Sequence, residues 1–318
     1  MNEHIQNGRP LPTTIPQYLA QLREALAGAD PAMIQDALYD AEEYLRSELA
    51  EQPGRSEAEV IAGVASSYGA PEEVAEIYRE TEITVSRALR TPVVSAAPAR
   101  KPGGAPPSPP KPRSLLARFF GVAVDPHTYG ALFYMLLSLA TGVFFFSWVV
   151  TGLSLSLGLM ILIIGIPVTV LFFGSVRGLA LLEGRLVEVL LGERMPRRPT
   201  YTDRSRGWLQ RVGDMFTDSR TWLTMLYFVL MLPLGIAYFT VTVTLLATSI
   251  GLIWAPVGVL FDTYGAIYWD GEQLSFLQTV LMMLGGVLLL FLTLHFARGV
   301  GKVHGLLAKH LLVSSRVV

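Results

Sequence analysis

Three stretches of the chain carry no Asp, Glu, Lys or Arg: 126–176, 221–261 and 273–297. A helix crosses the hydrocarbon of a bilayer with about 20 residues, so the first stretch is long enough for two crossings. Spans are predicted near 131–150, 153–175, 222–245 and 275–297, with Thr151-Gly152 as the tight turn between the first two. The N-terminal part reads differently. Tyr18, Leu19, Leu22 and Leu26, then Ile34, Leu38, Ala41, Leu45 and Leu49, fall at spacings of three and four, with Asp36, Asp40, Glu42, Glu43 and Glu48 on other faces, the pattern of amphipathic helices. Asp30-Pro31 supplies a cap followed by proline at the first helical position. Ser56 with Glu59 predicts a capping box, and Tyr68-Gly69-Ala70-Pro71 separates a third helix from a fourth. Residues 14–90 are therefore expected to form a small four-helix bundle.

Between these regions, residues 91–113 hold eight of the twenty prolines and no cluster that could seed a core, which predicts an extended linker. The fold class is all-α: a cytosolic helical head at 14–90, a Pro-rich linker at 91–113 and a four-span membrane domain at 114–312. Composition sharpens this division. The chain is 51% hydrophobic and 16% charged with a mean hydropathy of +0.44, whereas soluble domains carry about 25% charged residues. Residues 1–90 contain 7 Lys/Arg against 16 Asp/Glu, and the remainder 18 against 10, so an acidic head precedes a basic, apolar body. The first twenty residues lack a basic and an apolar signal region, and the N-terminus is expected to stay in the cytosol. With no cysteine, disulfide scaffolds, thiolate metal sites and cysteine nucleophiles are excluded.

An internal duplication is legible. A shift of 93 aligns 125–159 with 218–252 with 13 identities, among them Asp125/Asp218, Thr128/Thr221, Tyr134/Tyr227, Gly142/Gly235 and Thr151/Thr244. A shift of 121 aligns Arg177-Gly178 with Arg298-Gly299 and Gly184 with Gly305. The body is thus expected to consist of two parallel two-helix repeats. Each would end in an amphipathic helix that starts at Arg-Gly (177–192, 298–312) and lies along the cytosolic headgroups. Gly142 and Gly235 are expected to permit close helix approach, with Thr151 and Thr244 as packing residues. The second repeat carries an insertion, about 246–274. Drawing 247–261 as a fifth span would export Arg298, Lys302, Lys309 and Arg316, against the positive-inside rule. Four spans keep all these cations and both termini in the cytosol.

No nucleotide-binding, nucleophile-elbow or zinc-protease motif occurs, and neither a catalytic constellation nor a cofactor or metal site is predicted. The five histidines are scattered and read as interfacial or capping residues. The candidate ligand site is the insertion, with Asp262, Tyr264, Tyr268, Trp269, Asp270 and Glu272. Their rings and carboxylates suit a cationic or amphiphilic ligand, although an ordinary aromatic anchoring belt accounts for the same residues. Asp36, Asp40 and Glu43 on the head are the candidate partner-docking residues, where the alternative is a solvated acidic helix face.

The strings IPQYLAQLREAL, DALYDAEEYLRSEL and GRSEAEVIAGVASSYGAPEEVAEIY resemble the HAAS domain, a helical signalling module found beside PadR-type transcriptional regulators. The resemblance implies docking to a cytosolic regulator. From 114 to 312, FFGVAVDPHTYGALFYMLLSLATGVFFF, RGLALLEGRLVEVLLG and RGVGKVHGLLAKHLL are similar to the sensor domain ahead of the kinase module in actinobacterial histidine kinases. A kinase of that family would require a phosphoacceptor histidine box and an ATP-binding domain after the last span, where about twenty residues follow here, so no phosphorylation by this chain is expected. Together these readings predict a non-enzymatic multi-pass signalling protein of the cell membrane. The implied partners are membrane lipids and a PadR-like regulator, without direct nucleic-acid contact and with homo-oligomerisation left open. The alternatives are a structural scaffold or a small transporter, the latter disfavoured because the predicted spans hold no carboxylate or lysine.

Overall fold

The structure is a computed structural model that describes residues 5–6, 9–90, 119–159, 161–162, 164–198, 218–261, 268–269 and 272–313. The linker at 91–113 lies outside the described residues. The head is built from α1 (Ile15–Ala25), α2 (Pro31–Glu51), α3 (Glu57–Ser67) and α4 (Pro71–Arg90). Its helix starts follow the capping chemistry expected of them. Asp30 accepts the Ala32 N–H, and Ser56 and Glu59 form a reciprocal capping box, each such cap contributing about 1 kcal/mol. The apolar stripes converge on Tyr18, Leu22, Leu26, Met33, Leu45 and Ile61, all essentially inaccessible to solvent. The buried Tyr18 hydroxyl donates to the Gly69 carbonyl at 2.8 Å, tying α1 to the turn ahead of α4. That turn needs glycine, because Gly69 sits at φ +116, a conformation closed to most side chains.

The body consists of α5 (Pro126–Leu159), α6 (Gly165–Leu191), α7 (Ser219–Phe261) and α8 (Phe276–Leu312). All four are long and apolar enough to cross a membrane, which is the number of spans the charge-free stretches predict. At 34, 27, 43 and 37 residues they exceed the roughly 20 needed, so they cross obliquely or project beyond the hydrocarbon. Asp125 and Asp218 accept the N–H groups of His127 and Arg220 at 3.1 Å each, so both long helices α5 and α7 open on an aspartate. The remaining described elements are two minimal antiparallel ladders, Ile5–Gln6 with Arg9–Pro10 and Tyr268–Trp269 with Glu272–Gln273.

Three details depart from the expectations. The first two body helices are divided between Leu159 and Gly165, and Thr151-Gly152 lies inside α5. Pro167 is consistent with this: lacking an N–H, it is costly inside a helix but fits the first turn of one, where α6, starting at Gly165, places it. Gly152 instead accommodates the Phe172 ring, which would stand 2.2 Å from a Cβ there. Second, the segments beginning at Arg177-Gly178 and Arg298-Gly299 are not separate amphipathic helices; they are the unbroken second halves of α6 and α8. Glycine lowers helix propensity by only about 1 kcal/mol, which packing readily offsets. Third, α7 continues through Pro256 to Phe261, so the first half of the expected insertion is helical.

The centre of the body is the contact between α5 and α7. A Cβ at Gly142 would lie 2.4 Å from the Met231 carbonyl oxygen, and one at Gly235 would lie 2.2 Å from that of Ser138. Each glycine admits the other helix's backbone, the close approach expected for this pair. Around this point Phe145 stacks on Phe228 with centroids 4.4 Å apart, and Thr242 reaches Met135, so the partners run in opposite order along the two helices where they cross. Thr151 and Thr244 are exposed and take no part in this packing.

Candidate functional site

One turn from the crossing toward the helix starts, four polar side chains from four helices meet. Tyr134 (α5), Glu183 (α6), Tyr227 (α7) and His304 (α8) are each at most 2% exposed. Tyr134 Oη lies 2.6 Å from Glu183 Oε1 and 2.6 Å from His304 Nε2. Tyr227 Oη makes the matching contacts at 2.9 and 3.0 Å, and the two hydroxyls are 3.4 Å apart. Tyr238 Oη approaches His304 Nδ1 at 3.3 Å. Carboxylate and imidazole thus stand opposite each other across a pair of tyrosines.

Proton bookkeeping limits what this diamond can hold. Both hydroxyls donate to Glu183 Oε1, so their oxygens are left to accept, and a proton on His304 Nε2 serves both. Nδ1 then accepts from Tyr238. Every one of these atoms is satisfied, with one net negative charge in a place where unpaired charge is costly. Glu183 Oε2 has no partner among the described residues. One further proton, on Oε2 or on Nδ1 with Tyr238 turned to accept, neutralises the cluster without breaking a bond to Oε1 or Nε2. The arrangement can therefore take up and release a single proton while holding four helices together.

Two ion pairs flank the diamond. Arg298 of α8 meets Asp125 at 2.8 Å, and Arg177 of α6 meets Asp218 at 3.3 Å. The same aspartates that start α5 and α7 thereby fasten the helices beside them.

At the outer end of the body the head is seated on residues 194–198 and on α8. Asp36 is 5% exposed; it accepts the backbone N–H groups of Arg197 and Arg198 at 2.6 and 2.8 Å and meets Arg194 Nη2 at 3.1 Å. Burial raises the Asp36 carboxyl, against the lowering effect of those N–H groups and of Arg194. Arg194 also reaches Glu82 of α4 and Glu188 of α6. Burial works to lower its guanidinium, and the carboxylates of Asp36, Glu82 and Glu188 outweigh it, for a net rise. Asp40 pairs with Arg198 at 2.8 Å, Lys309 of α8 bonds Asp30, and Ala32 packs into the body's apolar cluster with Met195 and Ala308.

Of the docking residues expected on the head, Asp36 and Asp40 therefore face basic residues of the same chain, while Glu43 is exposed. In the insertion, Asp262, Tyr264 and Asp270 lie outside the described residues. Tyr268, Trp269 and Glu272 are brought together in the short ladder, where Trp269 is opposite Glu272. The predicted span 153–175 itself holds no carboxylate, but the same helix runs on to the buried Glu183; and His304, expected to be interfacial or capping, is buried among the tyrosines instead. Both lie on the second halves of α6 and α8, which the charge pattern alone puts outside the spans. A signal for them exists: Tyr134 and Tyr227 are related by the shift of 93, Glu183 and His304 by the shift of 121.

A body of four helices each long and apolar enough to cross a membrane, with a polar centre and a docked helical head, has the architecture of a multi-pass membrane protein. The family model described as Putative sensor matches residues 134–312, and the chain belongs to that family. No curated protein and no solved structure matches it.

Proposed function

We propose that the chain is a non-enzymatic membrane signalling protein whose body senses a membrane or extracytoplasmic condition and whose HAAS-like head passes it to a cytosolic regulator, of PadR type. One observation carries the reading: Asp36 and Asp40, the head's candidate docking residues, are covered by Arg194, Arg197 and Arg198 just beyond α6. The anchors of the head follow directly on α6, which bears Glu183, or lie on α8, which bears His304, so a change at the centre alters how firmly the head is held. Release would uncover Asp36 and Asp40 for a partner. The family's sensor designation fits this role. The duplication reading is supported by matched pairs, namely the two aspartate-started helices, the two arginine–aspartate bridges and the reciprocal glycines. The cytosolic orientation of both termini rests on the distribution of Lys and Arg.

The test uses the full chain in membranes of its source cell. Arg194→Glu combined with Arg198→Glu is expected to release the head and increase recovery of a PadR-type regulator, identified by mass spectrometry. Equal or no recovery from both proteins would refute the relay. A transporter is the second reading, favoured by Glu183, a carboxylate of the kind that couples transport. Proton flux in vesicles that disappears with Glu183→Gln would support it.

A further inference from the structure

Beside the docked head lies a cavity of about 380 Å³ between the start of α5, the end of α6 and the second half of α8. Its polar wall is His127, Arg298, Lys302 and Glu193; its apolar wall is Ala131, Leu191 and Leu306. Asp125 holds both Arg298 and His127, which leaves most of the guanidinium donors of Arg298 unused. Lys302 is exposed and has no ion-pair partner among the described residues. Val303 and Leu306, on the same side of α8, are 67% and 59% exposed, so the mouth opens on an apolar outer surface of the body.

A second pocket supplies the comparison. Arg177, Ala180 and Leu181, each 121 positions before Arg298, Gly301 and Lys302, line it together with Arg220 and Thr224, each 93 positions after His127 and Ala131. This pocket is reduced to about 50 Å³, with Gln35 of the head and Met195-Pro196 on its wall. The chain fills one of two matched recesses with its own residues and leaves the other open. The open one has lysine where the filled one has leucine.

We propose that the open cavity binds the phosphate-bearing headgroup of an anionic membrane lipid, with Arg298 and Lys302 on the phosphate and Ala131, Leu191 and Leu306 against the beginning of the acyl chains. The proposal rests on the reading of α5–α8 as membrane spans and is independent of the partner of the head. Its volume falls within the range of small-ligand sites, about 300–1,000 Å³, and basic recesses between spans are suited to acidic headgroups. An apolar wall beside the cations separates a lipid from a soluble phosphate, which would gain nothing from Leu191 and Leu306.

The full chain in detergent is titrated with phosphatidylglycerol, phosphatidylcholine or glycerol 3-phosphate and followed by native mass spectrometry. One saturable phosphatidylglycerol per chain is expected. Lys302→Ala and Arg298→Gln should each weaken it about tenfold, Lys302→Arg should retain it, and Arg55→Gln, which removes one charge from the head, should leave it unchanged. Arg298→Gln also breaks a helix-fastening pair, so Lys302→Ala is the deciding variant. Equal retention of phosphatidylcholine, equal binding of glycerol 3-phosphate, or insensitivity to Lys302→Ala would overturn the proposal. Spin labels at Ser66→Cys and Val189→Cys, read in the same samples, report head docking separately.

Discussion

Glu183 and His304 are each surrounded in sequence by leucines and basic residues, and nothing local marks either as more than a surface group. The fold gives them meaning by bringing both to the same pair of tyrosines. Glu183→Gln keeps the acceptor at Oε1 and removes a buried net charge, so its thermal stability in detergent is expected to equal or exceed that of the parent chain. Glu183→Ala leaves two buried hydroxyls short of an acceptor and should cost about 1–3 kcal/mol. If Glu183→Gln proves as damaging as Glu183→Ala, the proton count given for the diamond is wrong. Tyr134→Phe combined with Tyr227→Phe strands both the carboxylate and the imidazole and should cost more than the two single substitutions summed, as expected of a coupled network.

At the scale of elements, glycine separates two situations that look alike in sequence. A methyl group added at Gly178 or Gly299 would meet nothing within 4 Å. Because they lie inside continuous helices, Gly178→Ala and Gly299→Ala should each raise stability by up to about 1 kcal/mol. A loss would restore the helix break expected at Arg-Gly. Gly142→Ala, facing a carbonyl, should instead cost several-fold more in the same melting assay. The capping box at Ser56, the head's core stripes and the number of spans are readable in the sequence because each depends on neighbours within a turn or on length alone. The division between α5 and α6 is not, since it lies within an uninterrupted apolar run where Thr151-Gly152 offers the more conspicuous turn chemistry. The amphipathic look of 177–192 and 298–312 is real in composition, yet Arg177, Arg298, Glu183, Glu188 and Lys309 are taken up by Asp218, Asp125, the diamond, Arg194 and the head.

For the whole molecule, the charge contrast between an acidic head and a basic body is plain in the composition, but its consequence depends on distance. Read alone it implies that the head is repelled by an anionic leaflet; the structure pairs Asp30, Asp36, Asp40 and Glu82 with Lys309, Arg194 and Arg198 of the same chain. The chain has no native cysteine, so labels at Ser66→Cys and Val189→Cys give a clean distance between head and body. One narrow distance is expected for the parent sequence and a broad distribution for Arg194→Glu. An unchanged distance would mean that the ion pairs do not hold the head. Reporters placed after Gly271 and after Val318 should give an extracytoplasmic and a cytosolic signal, respectively.

The reciprocal notches at Gly142 and Gly235 have a mechanical consequence. Each helix seats a carbonyl in the other, so sliding either one along its axis by a single residue drives a side chain into backbone. Swivelling about the notches leaves both carbonyls seated and is limited instead by the Phe145–Phe228 stack and the diamond on either side. The paired notches thus form a fulcrum: a small rotation at one end of α5 and α7 is matched, reversed, at the other.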